Sequence, residues 1–458
     1  MLLLMNKSIV LHITPHLGGG VGRVLLNYFT KVKNDQSFIH KVACLDYANE
    51  HALDVAKNIG LMLTDRMSDK KQQLLAMIAE ADIVLIHWWN HPLLYDFLVR
   101  VELPPCRVVM WSHISGFHPP YVFSEKVFHY SDLFVFTTPV SYETREVQKL
   151  TDAMKEKLRV VWSTGGVEHV KKVKREAHIY FNVGYIGTVD YCKMHPDFID
   201  MCLHIDIPDV HFIVCGGPKE KELQQVIEHL GADKKFTITG LVRDITQYLS
   251  VFDVFGYPLA PYHYGTCDQA LAESMACGIV PVVFSNRMES HMVRDCVTGI
   301  VVDNKEEYCN AIRNLYINTE LRTHLSENAK AYANKTFSLE VLKQEWDKVF
   351  EEMLIFPKTA KKWEIDKSGT DISAKDVFLE SLGEYGQEFI MYCNAVSDRD
   401  KEMSIITIKE LAKSPVWQAQ TRGTPHHYHE FFQNDEHLAA WSSLMKDSEP
   451  IICGDDNI

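Results

Sequence analysis

Two successive series of short apolar strands, alternating with helical segments, constrain the fold of this chain more than any other feature. The first series begins with Ser8–Thr14 (SIVLHIT) and the second with Phe181–Ile186 (FNVGYI). Continuous apolar, β-branched runs of this kind are typical of parallel strands that are covered by helices on both faces. A glycine-bearing turn follows each opening strand. The sequence therefore predicts an α/β protein with two Rossmann-like domains.

The remaining predicted elements continue the alternation. In the first series, strands are predicted at 41–45, 83–87, 107–112 and 133–137, with a helix at 23–32. In the second series, strands are predicted at 211–215, 236–239, 254–257 and 280–284. The basic segment HVKKVKREAH at 169–178 lies between the two series. It has neither a helical nor a strand period, so it is predicted to be a linker.

The C-terminal part of the chain differs from both series. A long helix is predicted at 339–354, and amphipathic helices are predicted at 374–392, 403–413 and 436–445. Few strand-like runs occur beyond residue 355. We therefore expect a helical extension of about 90–100 residues, which is small for an independent domain.

Composition limits the classes of protein that fit. A chain of 458 residues that is 46% hydrophobic is long enough for two or three domains with large cores. The formal charge of -14 argues against a general nucleic-acid-binding protein. No apolar run approaches the ~18 residues that cross a bilayer, and no cationic segment precedes the apolar N-terminus as in a signal peptide. The 11 cysteines form no CxxC pair, so we expect reduced thiols in a cytoplasmic protein.

The turn after the first strand contains a glycine cluster, HLGGGVGR at 16–23. Glycines between a strand and a helix let backbone amides approach a ligand closely, and a helix N-terminus favours an anion. The spacing is not that of the GxGxxG fingerprint, and no acidic residue stands at the expected place about 20 residues further on. By itself the cluster is therefore also typical of a plain tight turn.

The stretch 257–284 holds the largest set of candidate binding residues. Thr266 and Gln269 have capping-box spacing, so a helix is predicted to start at Thr266. Free backbone amides at Cys267, Asp268 and Gln269 would then bind a diphosphate. Glu273 lies one turn beyond Gln269 on the same face, where a carboxylate accepts hydrogen bonds from a ribose diol. The alternative for Glu273 is a surface glutamate on an ordinary helix.

This stretch resembles the family-4 retaining glycosyltransferases, which have the GT-B fold and a Glu-x7-Glu motif in the C-terminal domain. The run ESMACG at 273–278 matches the second half of that motif. The resemblance implies that Glu273 holds the nucleotide ribose. The first glutamate of the motif falls at Gly265, and the family's Phe-Gly pair falls at Cys267 and Asp268. His263 and Asp268 are candidates to replace the missing contact with the donor sugar.

The same resemblance concerns five further residues. It implies that Gly19 and Gly20 lie over the donor phosphates. His113 follows a predicted strand, as does the family's active-site histidine near the donor sugar. Taken alone, a histidine there is more often a hydrogen-bonded loop residue, and the resemblance reverses that preference. Lys193 matches the lysine of the family's G-R-x4-K segment, whose arginine and lysine bind the diphosphate. Thr188 stands in place of that arginine.

The resemblance also implies how the domains are used. In the GT-B fold two Rossmann-like domains face each other across a cleft. Residues 1–170 are then the acceptor-side domain and 171–338 the nucleotide-sugar-binding domain. A long helix at 339–358 crosses back to the first domain, and 359–458 form the helical extension.

The activity that the resemblance implies is glycosyl transfer with retention. A hexosyl-type unit passes from a nucleotide-diphosphate sugar to a glycan, a lipid-linked glycan or a protein, as in polysaccharide biosynthesis. Neither a metal nor another cofactor is expected. Lys193 and the turn at 266–269 are candidates to stabilise charge on the departing diphosphate. His113 would orient the sugar or stabilise its charge rather than serve as the general base.

Two other classes of protein stay open. Gly265 and Thr188 depart from the family pattern, so the alternative is a GT-B-shaped nucleotide-binding, glycan-binding or scaffolding protein without transfer activity. A nucleotide-sugar epimerase of the same fold is a lesser alternative, because residues 273–278 resemble the transferases more closely.

Three clusters lie outside this set. His426, His427 and His429 have a spacing suited to metal ligands, although neighbouring aromatic residues favour a packed or acceptor-facing surface. The basic residues at 171–175 are predicted to be a solvated face, and attraction to anionic lipid at the inner face of the membrane is the alternative. Trp88 and Trp89 either cap the core or contact an acceptor.

Overall fold

The computed structural model describes residues 7–367, 371–419 and 421–446. These residues form two compact units. Unit 1 contains the described residues up to Ser163 and those from Leu342 onward, and unit 2 is Thr164–Val341.

The first part of unit 1 alternates strands and helices along the chain. Its strands are β1 (Ser8–Thr14), β2 (Phe38–Cys44), β3 (Met62–Thr64), β4 (Ile83–Trp88), β5 (Leu103–Cys106), β6 (Val108–Ser112), β7 (Phe117–His118), β8 (Tyr121–Val122), β9 (Leu133–Phe136) and β10 (Leu158–Val160). Its helices are α1 (Gly19–Val32), α2 (Glu50–Ile59), α3 (Lys71–Glu80), α4 (Pro92–Arg100), α5 (Glu125–Tyr130), α6 (Arg145–Lys149) and α7 (Asp152–Lys155). Short 3-10 turns occur at Met67–Asp69 and Pro139–Glu143.

Seven of these strands form one parallel sheet in the order β10-β9-β6-β4-β1-β2-β3. Strand β1 is central, and its residue Val10 pairs with His40 of β2 and with Ile83 of β4. Strand β4 is buried along its whole length because both faces of the sheet are covered, which explains its continuous apolar sequence.

Unit 2 repeats the alternation with a smaller sheet. Its strands are β11 (Phe181–Ile186), β12 (Val210–Cys215), β13 (Phe236–Gly240), β14 (Val254–Tyr257), β15 (Val280–Phe284) and β16 (Ile300–Val302). Its helices are α8 (Phe198–His204), α9 (Glu220–His229), α10 (Thr246–Leu249), α11 (Gln269–Ala276), α12 (Arg287–Met292), α13 (Lys305–Ile317) and α14 (Thr319–Thr336), with a 3-10 turn at Asp233–Lys235. All six strands are parallel, in the order β13-β12-β11-β14-β15-β16.

The chain then continues into the rest of unit 1. The elements are α15 (Leu339–Ile355), β17 (Thr359–Lys361), α16 (Ala374–Leu382), a 3-10 turn (Gly383–Gly386), α17 (Gln387–Asn394), α18 (Asp398–Leu411), α19 (Pro425–Phe431) and α20 (Glu436–Lys446). Strand β17 pairs antiparallel with β5. The single helix predicted at 374–392 is wrong, because Gly383 has φ +55° and ends α16 there.

The C-terminal helices pack directly onto the first part of unit 1. The Asn90 side-chain amide donates to the Ser381 carbonyl at 3.0 Å, and Lys126 pairs with Glu380 at 2.8 Å. The Trp363 indole N–H also donates to Glu380, at 2.8 Å. The predicted helical extension is therefore part of the unit 1 core rather than a separate body.

The predicted α/β class with two Rossmann-like parallel sheets is confirmed. In the described part of the chain, no helix combines the length and the apolar character that a membrane span needs.

Candidate functional site

The candidate residues of unit 2 meet at the carboxyl edge of its sheet. Thr188 and Lys193 follow β11, the segment 263–268 follows β14, and Glu289 lies on α12 after β15. These three strands are neighbours in the sheet. Ligands of open parallel sheets bind at this edge.

Helix α11 begins later than the sequence predicts. Its first residue is Gln269, and its N-cap is Asp268, whose φ of -73° and ψ of 108° are extended. The predicted start at Thr266 is therefore wrong, and no side chain caps this helix end. The preceding turn is held instead by His263, whose Nδ1 accepts from the Gly265 N–H at 3.0 Å. The amides open to an anion are consequently those of the first helical turn, from Gln269 onward.

A buried ion pair joins Lys193 to the N-cap of α11. The Lys193 Nζ lies 2.6 Å from Asp268 Oδ1, and about a tenth of each side chain is exposed. Burial alone would raise the pKa of the Asp268 carboxyl. The nearby Lys193 ammonium lowers this pKa by more, so the net shift is downward. Burial alone would lower the pKa of Lys193, but the Asp268 carboxylate raises it by more, so the net shift is upward. Both groups are thus charged, and the carboxylate occupies the anion position at the helix N-terminus.

A second buried pair lies beside the first. His263 Nε2 is 3.0 Å from Glu289 Oε2, and both side chains are almost completely buried. Because Nδ1 accepts from Gly265, the ring hydrogen must lie on Nε2, which donates to Glu289. A Cβ at Gly265 would lie 2.8 Å from His263 Nδ1. The His263 ring therefore takes up the space that a glutamate side chain at 265 would need.

These residues include a group that could hold a metal ion. His263, Asp268 and Glu289 offer ligand atoms within 4.8 Å of one another, and among the described residues no other such group occurs. A metal on Nε2 would require the ring hydrogen to move to Nδ1, facing the Gly265 N–H. Metal-bound histidines usually donate from their other nitrogen, and here that nitrogen accepts. The hydrogen bonds thus favour a charge network over a metal centre.

Glu273 is buried, with 1% of its surface exposed, so the alternative of a surface glutamate is wrong. Its Oε1 accepts from the Gln269 side-chain amide at 2.9 Å and lies 2.9 Å from His169 Nε2. Gln269 reaches it because the two residues are one helical turn apart. Sequence reasoning missed His169, since nothing in a basic linker marks a contact with a residue about a hundred positions away.

Thr188 lies in the same region, where the family places an arginine. Its Oγ1 is 3.1 Å from the Tyr264 hydroxyl, and its carbonyl accepts from the Tyr185 hydroxyl at 2.8 Å. Thr188 therefore fixes the turn after β11 to the loop after β14 through neutral hydrogen bonds. Thr266 and Cys267 are buried in that loop.

The other candidates lie in unit 1. Gly19 has φ +59°, and both Gly19 and Gly20 are exposed at the start of α1. His113 follows β6, is half-buried, and its backbone N–H donates to the Trp88 carbonyl. Burial lowers the pKa of His113 to about 3, so the imidazole is neutral. Trp88 is fully buried in the core.

The remaining clusters have local partners. His426 Nδ1 is 2.8 Å from the Ser442 hydroxyl, whereas His427 Nδ1 accepts from the Gly423 N–H at 3.0 Å. The described contacts thus engage these rings separately rather than around one ion. Arg175 pairs with Asp253 at 3.3 Å, and the basic residues of 171–175 are exposed.

The predicted site residues therefore fall into two groups, one in each unit. Unit 2 brings together the residues that follow β11 and β14 with those of α11: Thr188, Lys193, Gly265, Thr266, Cys267, Asp268, Gln269 and Glu273. Unit 1 holds Gly19, Gly20 and His113.

Comparison with known proteins finds a family match within unit 2. Residues 167–332 match the model of the family described as glycosyl transferases group 1. No curated protein matches the chain.

Several solved structures share the fold. Anabaena HepE, in complex with UDP, has a TM-score of 0.61 at 17% identity, covering 76% of this chain and 100% of HepE. The pneumococcal O-GlcNAc transferase GtfA, in complex with UDP and GlcNAc, has a TM-score of 0.58 at 11% identity, covering 77% and 100%. Sucrose-phosphate synthase from Thermosynechococcus elongatus has a TM-score of 0.57 at 13% identity, covering 76% and 99%.

The fold is accordingly GT-B, as predicted. The residues that match the family model, 167–332, lie within unit 2 and contain its candidate residues.

Proposed function

We propose that this protein transfers a sugar, with retention and without a metal, from a nucleotide-diphosphate sugar to an acceptor hydroxyl. The observation that carries the proposal is the buried Glu273, oriented by Gln269 and His169 within the family-matched domain. A surface role would not require a buried carboxylate held by two side chains. The solved complexes of HepE with UDP and with UDP-glucose support a nucleotide sugar as the donor.

Each unit 2 residue has a role in donor binding in this proposal. Glu273 accepts hydrogen bonds from the ribose diol. The amides at the start of α11 and the Lys193 ammonium stabilise the negative charge that grows on the diphosphate as the sugar leaves. Because Lys193 is already paired with Asp268, its contribution depends on how far that pair opens toward the phosphate.

His263 takes over the contact with the donor sugar in this proposal. The family's glutamate at this place is Gly265, and the imidazole occupies the adjoining space. Glu289 holds the ring through Nε2 and so fixes its orientation. Because both ring nitrogens are engaged, by the Gly265 N–H and by Glu289, the imidazole contacts the sugar through its ring carbons in this proposal.

Gly19, Gly20 and His113 complete the proposed machinery. The two glycines leave backbone amides open to the phosphates. His113 orients the sugar or stabilises its developing positive charge. The acceptor in this proposal is a glycan, a lipid-linked glycan or a protein. We propose that the reaction takes place in the cytoplasm and that the exposed basic residues at 171–175 contact anionic lipid.

A donor screen tests the proposal. The purified protein is incubated with a panel of nucleotide-diphosphate sugars, beginning with UDP-glucose, and release of the nucleoside diphosphate is measured with and without acceptors. We expect one donor to be consumed, activity to persist in excess EDTA, and the product to keep the anomeric configuration of the donor. A protein that neither consumes nor is stabilised by any donor contradicts the assignment.

One observation favours a second candidate, a nucleotide-binding protein without transfer activity. Asp268 places a carboxylate at the helix end where a donor phosphate would lie, and it neutralises the lysine that would stabilise the leaving group. This protein would show thermal stabilisation by nucleoside diphosphates with no turnover of any donor. The donor screen separates the two candidates directly.

A further inference from the structure

Four histidines of unit 1 form a continuous row across its sheet. They lie on or directly after β2, β1, β4 and β6, which are consecutive strands in the sheet order. The row consists of His40, His12, His87 and His113 in that order. The first three are buried, and His113 is half-buried.

Each neighbouring pair of rings is within hydrogen-bond distance. His40 Nδ1 lies 2.9 Å from His12 Nε2, His12 Nδ1 lies 3.0 Å from His87 Nε2, and His87 Nδ1 lies 3.2 Å from His113 Nε2. Every contact thus joins the Nδ1 of one ring to the Nε2 of the next. The repetition is continuous from His40 to His113.

This pattern couples the tautomers of all four rings. A neutral imidazole has one donor nitrogen and one acceptor nitrogen. If His113 carries its hydrogen on Nε2, the three other rings must do the same for every contact to be a hydrogen bond. If His40 carries its hydrogen on Nδ1, all four rings carry it there. The row therefore has two complete arrangements, which differ by the shift of one hydrogen at each ring.

The surroundings keep the row neutral. Aromatic side chains line it, including Phe29 at 4.8 Å from the His12 ring and Trp111 at 5.6 Å from the His87 ring, measured between ring centroids. Burial lowers the pKa of His12 and His87 well below the ordinary value and that of His40 to about 4. A ring that held an extra proton would therefore pass it on rather than keep it.

Both ends of the row have access to other groups. His113 is half-buried at the carboxyl edge of the sheet. At the other end, His40 lines a surface cavity of about 120 Å³ together with Asp35. The Asp35 carboxylate pairs with Lys343 at 2.7 Å, and these are the charged groups that influence His40. The buried row thus connects the predicted catalytic histidine with a cavity on the surface of unit 1.

We propose that the four histidines are a proton relay between the cavity at His40 and the reacting groups at His113. This inference rests on the proposed glycosyl transfer and adds to the role of His113 there the exchange of protons with the reacting oxygens. Starting with hydrogens on Nδ1, His113 gives its proton to an oxygen of the departing phosphate. Each ring then passes one proton along, and His40 Nε2 takes one from water. All four rings now carry hydrogen on Nε2.

The second half of the cycle restores the row. As the acceptor oxygen forms its bond to the sugar carbon, its proton moves to His113 Nδ1. Each ring passes one proton back toward His40, which releases one from Nε2 to water. One proton enters and one leaves in each turnover, so the tautomers return to their starting arrangement. His12, His87 and His40 act only through His113 and are positioning residues.

The tautomers can be observed without any substrate. Histidine-labelled ¹⁵N protein is studied by long-range ¹H–¹⁵N correlation, with signals assigned from single His-to-Gln variants. We expect His87 and His113 to show nitrogen shifts averaged between the two tautomers, and the His12→Gln variant to hold both in one tautomer, because an amide does not relay the proton. His426→Gln, a buried and hydrogen-bonded control, leaves them unchanged. If His87 and His113 each show a single tautomer in the wild type, and His12→Gln does not change it, the relay is overturned, whether or not a donor is found.

Kinetics with the identified donor and acceptor provide the second readout. His12→Gln and His40→Gln are each expected to lower kcat about a hundredfold, the lower end of the range for general acid–base catalysis, with the donor KM unchanged. They are also expected to change the solvent deuterium isotope effect on kcat, which a packing defect would not do. His426→Gln is the control for loss of a buried imidazole. If His12→Gln fails to fold, the more peripheral His40→Gln decides, and full kcat in that variant overturns the proposal.

Discussion

At the residue scale, Glu273 is the side chain on which donor binding depends most. It is buried and held by Gln269 and His169, so its carboxyl group has a fixed orientation. Such a preorganised acceptor is stronger than a mobile surface carboxylate, because no side-chain freedom is lost on binding.

Glu273→Gln should therefore weaken nucleotide binding while leaving the fold intact. A lost charge-assisted hydrogen bond costs about 1.5–3 kcal/mol, which corresponds to about tenfold to a hundredfold in Kd. Calorimetric titration with the nucleoside diphosphate measures the change. Glu228→Gln, on the exposed face of α9, is the matched control. Equal affinity of Glu273→Gln and the wild type would exclude the ribose role.

Also at the residue scale, the fold does not require glycine at position 20. Its φ is not positive, and a Cβ there would meet no atom within 4 Å. In contrast, Gly60 is equally open but has φ +69°, so its conformation requires glycine.

Gly20→Ala is expected to stabilise the protein by up to about 1 kcal/mol, because alanine is a better helix former. Gly60→Ala should destabilise it by about 1 kcal/mol or more. If Gly20 is kept for close approach of phosphates, Gly20→Ala lowers kcat/KM for the donor while raising Tm, whereas Gly60→Ala lowers Tm and leaves kcat/KM unchanged. Unchanged kcat/KM in Gly20→Ala would mean that the turn has no ligand.

At the scale of elements, the position of α11 depends on an ion pair. The sequence has a capping-box spacing at Thr266 and Gln269, yet the helix starts at Gln269 with Asp268 as its N-cap. Asp268 is drawn to Lys193, which follows the neighbouring strand, and that contact fixes where the helix begins. The start of α11 therefore follows the buried ion pair with Lys193 and not the local capping-box spacing.

Removing one partner of this pair should cost more than removing both. Lys193→Met leaves a buried carboxylate without its cation, and such changes cost about 3–5 kcal/mol. The double variant Lys193→Met with Asp268→Asn should recover a large part of that loss. Urea unfolding of the wild type, Lys193→Met, Asp268→Asn and the double variant gives the coupling energy between the two side chains. Additive effects would mean that the two charges do not stabilise each other.

The same pair should make stability fall in acid. The pKa of Asp268 is lower in the folded than in the unfolded protein, so its contribution is present above the unfolded value of about 4 and is lost as the pH falls below it. Asp268→Asn should flatten this part of the curve of unfolding free energy against pH.

At the scale of the whole molecule, the two units differ in their histidines. Six buried histidines of unit 1 have a lowered pKa: His12, His40, His87, His91, His426 and His427. The shift reaches about 4 for His40 and about 3 for His427. In the described residues of unit 2, a lowered pKa is found for His195 and His211.

Unit 1 should therefore lose stability in mild acid before unit 2. Below about pH 6.5 the unfolded chain binds protons that the folded unit cannot, and each such histidine costs about 1.4 kcal/mol per pH unit until its folded pKa is reached. All eight tryptophans precede residue 164 or follow residue 341, so their fluorescence reports on unit 1 alone. On lowering the pH from 7 to 4, the urea midpoint measured by fluorescence should fall further than a second, later transition measured by circular dichroism. Coincident transitions at all pH values would contradict this difference.

The sequence by itself determined the class of fold and much of the predicted site. Strands Ser8–Thr14, Phe181–Ile186, Val254–Tyr257 and Val280–Phe284 are found at their predicted bounds, because a buried parallel strand must be apolar throughout. The short strands β3, β10 and β16 were missed, since three residues carry too little pattern.

The tertiary structure alone decided which side chains meet. The contact of His169 with Glu273 and the ring of His263 beside Gly265 depend on how loops and helices pack. Of the histidine row, His12 and His87 are 75 positions apart in the chain, and only the order of the parallel strands makes them neighbours. Local patterns are set by residues a few positions apart, whereas contacts across a sheet depend on its topology. That is why the sequence predicted a histidine at the site but not the row behind it.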